Sequence, residues 1–297
     1  MIHYDKCPLC LSEKISLHFQ TKDHFLSREN YSLMKCTDCG FIFTQDHPDT
    51  EHIGKYYESA AYLSHKDSAK GLSGRLYRLS RRLMLRKKRE TVKSVTGRKT
   101  GDLLDIGSGA GHFLNEMKSS GWNVRGIEIN DGARESSVSA FGIDVLPPEK
   151  ILNLPELGFD CITLWHVLEH FQDPFGYAAG ISRLLKPEGV CIIALPNCRS
   201  SDARHYRQFW AAYDVPRHLW HFTPETFRRF AEKTGFKIES IKRLPLDVFY
   251  ISSLSEKYKG STLSFIEGTI KGLWFSFISS LNMKKSSSLV YLLRKIS

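Results

Sequence analysis

A short glycine-rich turn constrains the fold of this chain more than any other feature. An apolar run at 103–106 includes Asp105, and the turn after it leads straight into a helical pattern; the turn reads Gly107-Ser108-Gly109-Ala110-Gly111. Glycine is needed where a backbone turns tightly and approaches a ligand, because a Cβ atom would block both. The helix that follows directs unpaired N–H groups at the turn. The pattern predicts a strand, a ligand-binding turn and a helix.

A second strand-like run carries an acidic residue near its end. Residues 122–129 are largely apolar and contain Glu128, which comes 23 residues after Asp105. In doubly wound sheets that bind nucleosides, a carboxylate at the end of the second strand binds the two hydroxyls of a ribose. The two segments together predict a nucleoside site.

The run Asp-Ile-Gly-Ser-Gly-Ala-Gly at 105–111, followed by Gly-Ile-Glu at 126–128, resembles the first two motifs of class I S-adenosylmethionine-dependent methyltransferases. It is closer to that pattern than to the dinucleotide pattern G-x-G-x-x-G, so we expect a sulfonium nucleoside and no pyrophosphate. The resemblance implies that the loop frames the methionine moiety, that Glu128 holds the ribose and that Ile129 flanks the adenine. The implied cofactor-binding residues are Asp105, Gly107, Ser108, Gly109, Gly111, Glu128 and Ile129.

Strand and helix patterns alternate from residue 101 to 251. Strands are predicted at 102–106, 123–129, 142–146, 159–165, 189–196 and 237–250, and helices at 111–119, 131–140, 174–185 and 223–234. Such alternation predicts an α/β fold, a doubly wound and mostly parallel sheet with helices on both faces. Residues 287–296 read as a final strand, which in the methyltransferase family pairs antiparallel with the sixth. We therefore expect a seven-stranded sheet within a methyltransferase domain spanning 101–297.

Residues 1–47 contain two C-x-x-C pairs separated by 25 residues. Two thiolates three positions apart lie on one face of a tight turn, and two such turns make a tetrahedral four-sulfur site for zinc. A four-cysteine site has no open position, which favours a structural ion over a catalytic one. The sequence predicts a small N-terminal zinc ribbon whose ligands are Cys7, Cys10, Cys36 and Cys39.

Residues 48–100 are predicted to be a helical linker that carries most of the positive charge. The segment 72–99 holds eleven Lys or Arg residues and one acid, so its local net charge equals the +10 of the whole chain. A solvated helix face is the usual meaning of such a run. The alternative is a surface that binds phosphates of RNA, of a nucleotide-linked substrate or of anionic lipid. Tyr56, Tyr57 and Tyr62 precede this helix, either as packing residues or with one of them covering the reaction pocket.

Residues 252–285 form an inserted segment with a broad apolar helical face. We expect a core helix or a lid packed on the sheet edge, with interfacial membrane attachment or a dimer contact as alternatives. The chain has no uninterrupted run of the ~18 apolar residues that a membrane span needs. Its first residues lack the apolar core of a signal peptide, and its seven cysteines fit metal binding better than disulfides. These features predict a cytoplasmic protein and no particular oligomer.

The end of the predicted fourth strand, Leu164-Trp165-His166-Val167-Leu168-Glu169-His170, lies where catalytic groups are expected in such sheets. It resembles the Leu-Glu-His motif of methyltransferases that act on quinone precursors and on nucleotide-linked sugars. The resemblance implies that His170 acts as general base with Glu169 beside it, or that Glu and His bind a divalent metal. His166, the third candidate, stands where metal-binding relatives carry an acid. The structural alternative is that His166 and His170 cap the strand.

The segment Pro216-Arg217-His218-Leu219-Trp220-His221-Phe222 resembles a motif of a bacterial methyltransferase subfamily that also carries the N-terminal cysteine pairs. The implied acceptor-binding residues are Arg217, His218 and His221, which suit an anionic or hydroxyl-rich molecule. The leading hypothesis is methyl transfer to an O or C nucleophile of a small-molecule acceptor such as a sugar or glycan precursor. The alternative is an RNA methyltransferase that docks nucleic acid through the ribbon and the basic helix.

Overall fold

The computed structural model describes residues 1–57 and 72–296. In the first long helix it describes side chains only from residue 78 onward. The N-terminal strands are β1 (Ile15–Lys22), β2 (Asn30–Cys36) and β3 (Ile42–Thr44). The later strands are β4 (Asp102–Ile106), β5 (Asn123–Ile127), β6 (Val145–Leu146), β7 (Phe159–Trp165), β8 (Leu185–Pro196), β9 (Trp220–His221), β10 (Phe236–Arg243) and β11 (Ser288–Lys295).

Helices lie between most of the strands in the C-terminal part of the chain. They are α1 (Leu72–Thr96), α2 (His112–Lys118), α3 (Asp131–Phe141), α4 (Pro174–Leu184), α5 (Ser201–Tyr206), α6 (Pro224–Lys233), α7 (Asp247–Tyr258) and α8 (Ser264–Leu281). Side chains cap the first turn of two of these helices. The Asn130 oxygen accepts the Ala133 N–H, and Thr223 forms a capping box with Thr226.

The seven-stranded sheet has the order β10-β11-β8-β7-β4-β5-β6. The pairs among β4, β5, β6, β7 and β8 are parallel, whereas β11 runs antiparallel to both β8 and β10. The chain leaves β4 toward β5 on one side and returns to β7 on the other, so the switch point lies between β4 and β7. This arrangement confirms the predicted doubly wound, mostly parallel sheet and its antiparallel last strand.

The sequence prediction of one strand over 237–250 is wrong in its second half. The strand ends at Arg243, and helix α7 begins at Asp247. Pro245 between them has no N–H to donate to a sheet ladder. The β-forming run at 248–251 becomes helical because Val248 and Ile251 pack into a cluster with the ribbon and the 203–215 segment. The inserted segment 252–285 is accordingly two helices, the first of which starts before it.

The sheet of the N-terminal ribbon is completed by residues far along the chain. Strands β1, β2, β3 and β9 form one four-stranded antiparallel sheet, with Ile42 opposite His221 and Phe43 opposite Trp220. The Phe41 and Trp220 rings stack at 6.1 Å. The predicted 1–47 unit therefore packs against the C-terminal part of the chain through a shared sheet and a shared core.

A buried ion triad joins the ribbon to the loop that carries β9. The Arg217 guanidinium, 1% exposed, lies 2.9 Å from Asp23 Oδ1 and 2.7 Å from Asp214 Oδ1. It also donates to the Tyr56 carbonyl. Desolvation would raise the pKa of Asp23, but the Arg217 guanidinium and three backbone N–H donors outweigh it and hold this pKa at about 2. The charges are thus paired inside the protein.

We predict that Arg217→Met lowers the free energy of unfolding by about 3–5 kcal/mol, because it leaves the Asp23 carboxylate buried without its cation. Urea denaturation measures the effect. Arg199→Met, which removes an exposed partner of Glu225, is the matched control and should change stability by about 0.5 kcal/mol or less. Equal stability of both variants would show that the triad contributes nothing.

Candidate active site

The glycine turn after β4 has the backbone geometry that its sequence predicts. Gly107, Gly109 and Gly111 all have positive φ angles, of 74°, 54° and 78°. A Cβ atom at Gly107 would collide with the Val167 side chain, and one at Gly111 with Ser137. At Gly109 the same atom would meet nothing within 4 Å. Two glycines therefore allow close packing, while the middle one faces open space where a ligand can approach the backbone.

The Glu128 carboxylate lies directly beside this turn. Its Oε2 atom accepts the Gly109 N–H at 2.8 Å, and its Oε1 atom accepts the Asn130 N–H at 2.9 Å. Ile129 next to it is 79% exposed. The Ser108 hydroxyl is buried, and no partner for it occurs within the described part of the chain. An open backbone turn, a fixed carboxylate, an exposed apolar side chain and an unpaired hydroxyl fit an adenosine-containing ligand.

Asp105 is buried at the end of β4 and accepts a hydrogen bond of 2.6 Å from the Thr163 hydroxyl. Burial raises the pKa of Asp105 to about 7, and the hydrogen bond from Thr163 and the positive charge of Lys88 only partly oppose it. Lys88 reaches this region from α1, with its ammonium 4.5 Å from the Trp165 ring centre. In the sequence, Lys88 is one residue of the basic run at 72–99. Nothing in the pattern distinguishes it from its neighbours, so its position near Asp105 is not predicted.

His166 is held as a cation between two carboxylates. Its Nε2 atom lies 2.9 Å from Asp247 Oδ2, and its Nδ1 atom lies 3.5 Å from Glu169 Oε1. Burial would lower the pKa of His166, but the contacts with Asp247 and Glu169 outweigh it and raise the pKa to about 10. The imidazolium can donate hydrogen bonds, but it has no lone pair to accept a proton. Asp247 is not among the predicted site residues, because the sequence pattern at 237–250 predicts a strand there.

His170 has the opposite electrostatic environment. Its Nδ1 atom lies 3.1 Å from the Arg217 carbonyl oxygen and 3.0 Å from the Tyr57 hydroxyl. A carbonyl oxygen can only accept, so Nδ1 carries the hydrogen and Nε2 keeps its lone pair. Burial, aided by the neighbouring His218, lowers the pKa of His170 to about 4. The ring is therefore neutral near pH 7. Of the three tyrosines singled out above, Tyr57 contacts this ring, Tyr56 is buried, and Tyr62 lies outside the described residues.

Glu169 is 1% exposed, and neither of its carboxylate oxygens has a hydrogen-bond partner among the described residues. One oxygen lies within 4.8 Å of a ring nitrogen of both His170 and His218. A carboxylate and two imidazoles are a ligand set that suits divalent metals. This grouping fits the metal-binding alternative implied by the Leu-Glu-His motif, with His218 in place of an acid at 166.

The three predicted acceptor-binding residues do not lie together. His218 is next to His170, with ring centres 4.5 Å apart. Arg217 is instead in the buried triad with Asp23 and Asp214, and His221 is buried in β9, 3.0 Å from the Thr44 hydroxyl. The placement of Arg217 and His221 corrects the expectation that they face the acceptor. Both residues instead bind the ribbon, Arg217 through Asp23 and His221 through Thr44.

The four cysteine sulfurs of the ribbon converge as predicted. Cys7 and Cys39 Sγ atoms are 3.6 Å apart, as are those of Cys10 and Cys36, and all four lie within 4.8 Å of one another. Zinc–sulfur bonds of about 2.3 Å place tetrahedral sulfurs roughly 3.8 Å apart. The sulfur cluster therefore has the size of a zinc site.

Several cations of the basic helix α1 contact the domain itself. Arg89 forms an ion pair with Glu116 at 2.6 Å, and an Arg81 nitrogen lies 3.2 Å from His112 Nε2. Arg82, Arg86 and Lys87 are exposed. The helix is thus partly a packing element and partly the solvated face that its composition predicts.

Residues 76–241, more than half of the chain, match the methyltransferase domain family. The chain belongs to this family, and its glycine turn and Glu128 assign it to the S-adenosylmethionine-dependent class. A ubiquinone biosynthesis O-methyltransferase from Alkalilimnicola ehrlichii is 26% identical over 53% of this chain and 67% of its own length. A protein of the same name from Colwellia psychrerythraea is 29% identical, over 36% of this chain and 47% of its own length.

Solved structures share the fold at low identity. A SAM-dependent methyltransferase from Archaeoglobus fulgidus superposes with a TM-score of 0.50 at 19% identity, covering 72% of this chain and 94% of that chain. The cyclase SpnF superposes with a TM-score of 0.54 at 16% identity, covering 84% of this chain and 98% of that chain. One of these two proteins is named a methyltransferase and the other a cyclase, so the structural similarity supports the fold, and the chemistry must be inferred from the site. None of the described helices has the length and apolar run needed to cross a bilayer.

We predict a pH-dependent stability difference between the wild type and Asp105→Asn. Because the folded-state pKa of Asp105 is about 7, the folded chain binds the proton more tightly than the unfolded chain, and Asp105 costs stability as the pH rises from about 4 to 7. The asparagine variant has no such cost and should gain about 3–4 kcal/mol relative to the wild type over that range.

Urea denaturation at both ends of this pH range measures the gain. Asp144→Asn, an exposed substitution of the same kind, is the control and should follow the wild type. A constant difference between wild type and Asp105→Asn at both pH values would contradict the raised pKa.

Proposed function

We propose that this protein transfers a methyl group from S-adenosylmethionine to a nucleophilic oxygen or carbon of a small molecule. The observation that carries the proposal is the Glu128 carboxylate fixed against the open turn at Gly109. The curated relatives are named O-methyltransferases, which favours a hydroxyl as the acceptor group. A sugar or glycan precursor would present such a hydroxyl.

We assign the contacts of the methyl donor to the glycine turn and to the residues after β5. Glu128 would bind the ribose hydroxyls, Ile129 would cover the adenine, and the turn with Ser108 and Asp105 would hold the methionine moiety. When bound, the sulfonium supplies an electrophilic methyl group with a neutral leaving group. The protein's task is then to align the acceptor with that methyl group and to remove the acceptor's proton.

His170 is the proton acceptor in this proposal. Its Nδ1–H is fixed by the Arg217 carbonyl, so the lone pair of Nε2 has a defined direction. His166 is already protonated; it donates a hydrogen bond to Asp247 and forms an ion pair with Glu169. Neutral His170 and cationic His166 therefore have separate roles, although both belong to the same short segment after β7.

Two variants separate donor binding from chemistry. Glu128→Ala should weaken S-adenosylmethionine binding by about 10- to 100-fold, because a charge-assisted hydrogen bond contributes roughly 1.5–3 kcal/mol. His170→Ala should keep that affinity and lower methyl transfer by about 100-fold or more. Isothermal titration measures binding, and transfer of labelled methyl into extract metabolites measures turnover and identifies the acceptor.

Glu135→Ala, an exposed change on α3, is the control for Glu128→Ala and should bind like the wild type. Absence of binding by the zinc-loaded wild type would overturn the donor assignment. Full turnover by His170→Ala with normal binding would remove His170 from the proton-transfer step and leave the donor site intact.

We also propose that the four ribbon cysteines hold a structural zinc ion. The support is the convergence of their sulfurs, together with the closed four-cysteine ligand set. Zinc would fix the two turns from which β1, β2 and β3 extend, and so hold the surface on which β9 and the 214–222 loop rest.

Metal analysis of the purified protein should find about one zinc per chain. Cys36→Ser should abolish stoichiometric zinc and lower the melting temperature, since a four-ligand structural site has no spare ligand. Cys198→Ala, outside the cluster, is the matched control and should retain the metal. Zinc retained in Cys36→Ser at wild-type stoichiometry would contradict the proposed ligand set.

RNA methylation remains the second hypothesis from the sequence. The described part of α1 engages the domain through Lys88 and Arg89, and the ribbon uses its β3 edge to bind β9. These contacts occupy part of the surface that the RNA hypothesis requires, and the relatives are named as O-methyltransferases of ubiquinone biosynthesis, so the small-molecule proposal has the stronger support.

A further inference from the structure

Helix α8 turns large apolar side chains away from the protein. Six of them follow one stripe at helical spacing, and each is more than half exposed: Ile266, Ile270, Leu273, Trp274, Phe277 and Leu281. Single exposed apolar residues are common on protein surfaces, but a continuous stripe along a whole helix marks an interaction surface. The expectation that the inserted segment is a core helix or a lid is therefore wrong for this face.

The opposite face of α8 explains the outward orientation. Gly268, Gly272 and Ser279 are buried, and a Cβ atom at Gly268 would collide with the Ser253 backbone on α7. The small residues let α8 approach α7 closely, and Phe275 is the one large side chain of α8 that is buried with them. The six side chains of the stripe remain outside and are available for contact with a partner.

The charges at the two ends of α8 indicate the nature of that partner. Lys257 and Lys259 precede the helix, Lys284 and Lys285 follow it, and all four are exposed. Between residues 256 and 285 the sequence has five lysines and two acids, and the acid Glu256 pairs with Lys259 and Lys271. The segment therefore keeps an excess of positive charge, with Lys257 before α8 and Lys284 and Lys285 after it. An apolar stripe with an aromatic residue at its centre and lysines at both ends has the composition of a helix that lies in a membrane interface.

A second copy of the chain fits this surface less well. Two-fold pairing of α8 with itself in either direction brings the lysines of one copy near those of the other, because both ends of the helix are basic. An anionic lipid surface instead neutralises both ends at once. The 18 residues of α8 span about 27 Å, and the absence of a membrane-spanning helix among the described residues agrees with a helix lying flat.

We propose that the α8 stripe docks the protein on an anionic lipid bilayer, with the apolar side chains in the interface and the flanking lysines on the headgroups. The proposal does not depend on methyl transfer. The docking surface is nevertheless connected to the candidate active site through α7. Asp247 at the start of α7 binds His166, and α7 packs against α8.

Flotation of the full-length, zinc-loaded protein with vesicles tests this directly. Vesicles of phosphatidylcholine with about one third phosphatidylglycerol should bind the protein, and pure phosphatidylcholine should bind it far more weakly. Leu273→Glu combined with Phe277→Glu should lower the vesicle partition coefficient by about tenfold or more, because two charges replace inserted side chains. Trp274 emission should shift to the blue on binding of the wild type.

Leu152→Glu combined with Leu17→Glu is the matched control, because both leucines are more than half exposed and lie outside the stripe. This variant should bind vesicles like the wild type, and both variants should keep the wild-type melting temperature. Equal binding by the stripe variant and the wild type would overturn the proposal and leave another basic surface, such as α1, as the contact. A dimer that the stripe variant abolishes, without vesicle binding by the wild type, would overturn it in favour of a second copy.

Discussion

The arrangement of the site depends on one buried cation. The Arg217 side chain binds Asp23 in the ribbon and Asp214 in its own loop, while its backbone carbonyl accepts from His170. A guanidinium forms several directed hydrogen bonds in one plane, so it can fix three chain segments at once. The N-terminal ribbon is therefore connected to the proton acceptor through a single residue, and damage to the ribbon is expected to reach the site.

A second connection runs from the other side of the site. His166 carries a positive charge because Asp247 and Glu169 flank it, and Asp247 belongs to the helix that supports α8. Two neighbouring histidines thus differ in charge for reasons that lie outside their own segment. His166 depends on the inserted helices, whereas His170 depends on the loop after β8 and on Tyr57.

Local patterns predicted those parts of the fold in which local and long-range forces agree. The glycine turn, Glu128 and the alternation of strands and helices follow from spacing, because tight turns and parallel strands impose strict residue requirements. The β10–α7 boundary did not follow, since the run at 248–251 favours a strand locally and becomes helical only through burial. Asp247 and the burial of Arg217 depend on contacts between distant segments, which no local period reveals.

Strand β9 has a consequence for biosynthesis. The ribbon cysteines are made first, yet the edge of β3 finds its pairing partner only when Trp220 and His221 have left the ribosome. Until then a short, apolar strand edge stays unpaired, and such edges invite association between nascent chains. If the four thiolates bind a metal early in synthesis, the nascent ribbon has a fixed conformation before β9 becomes available.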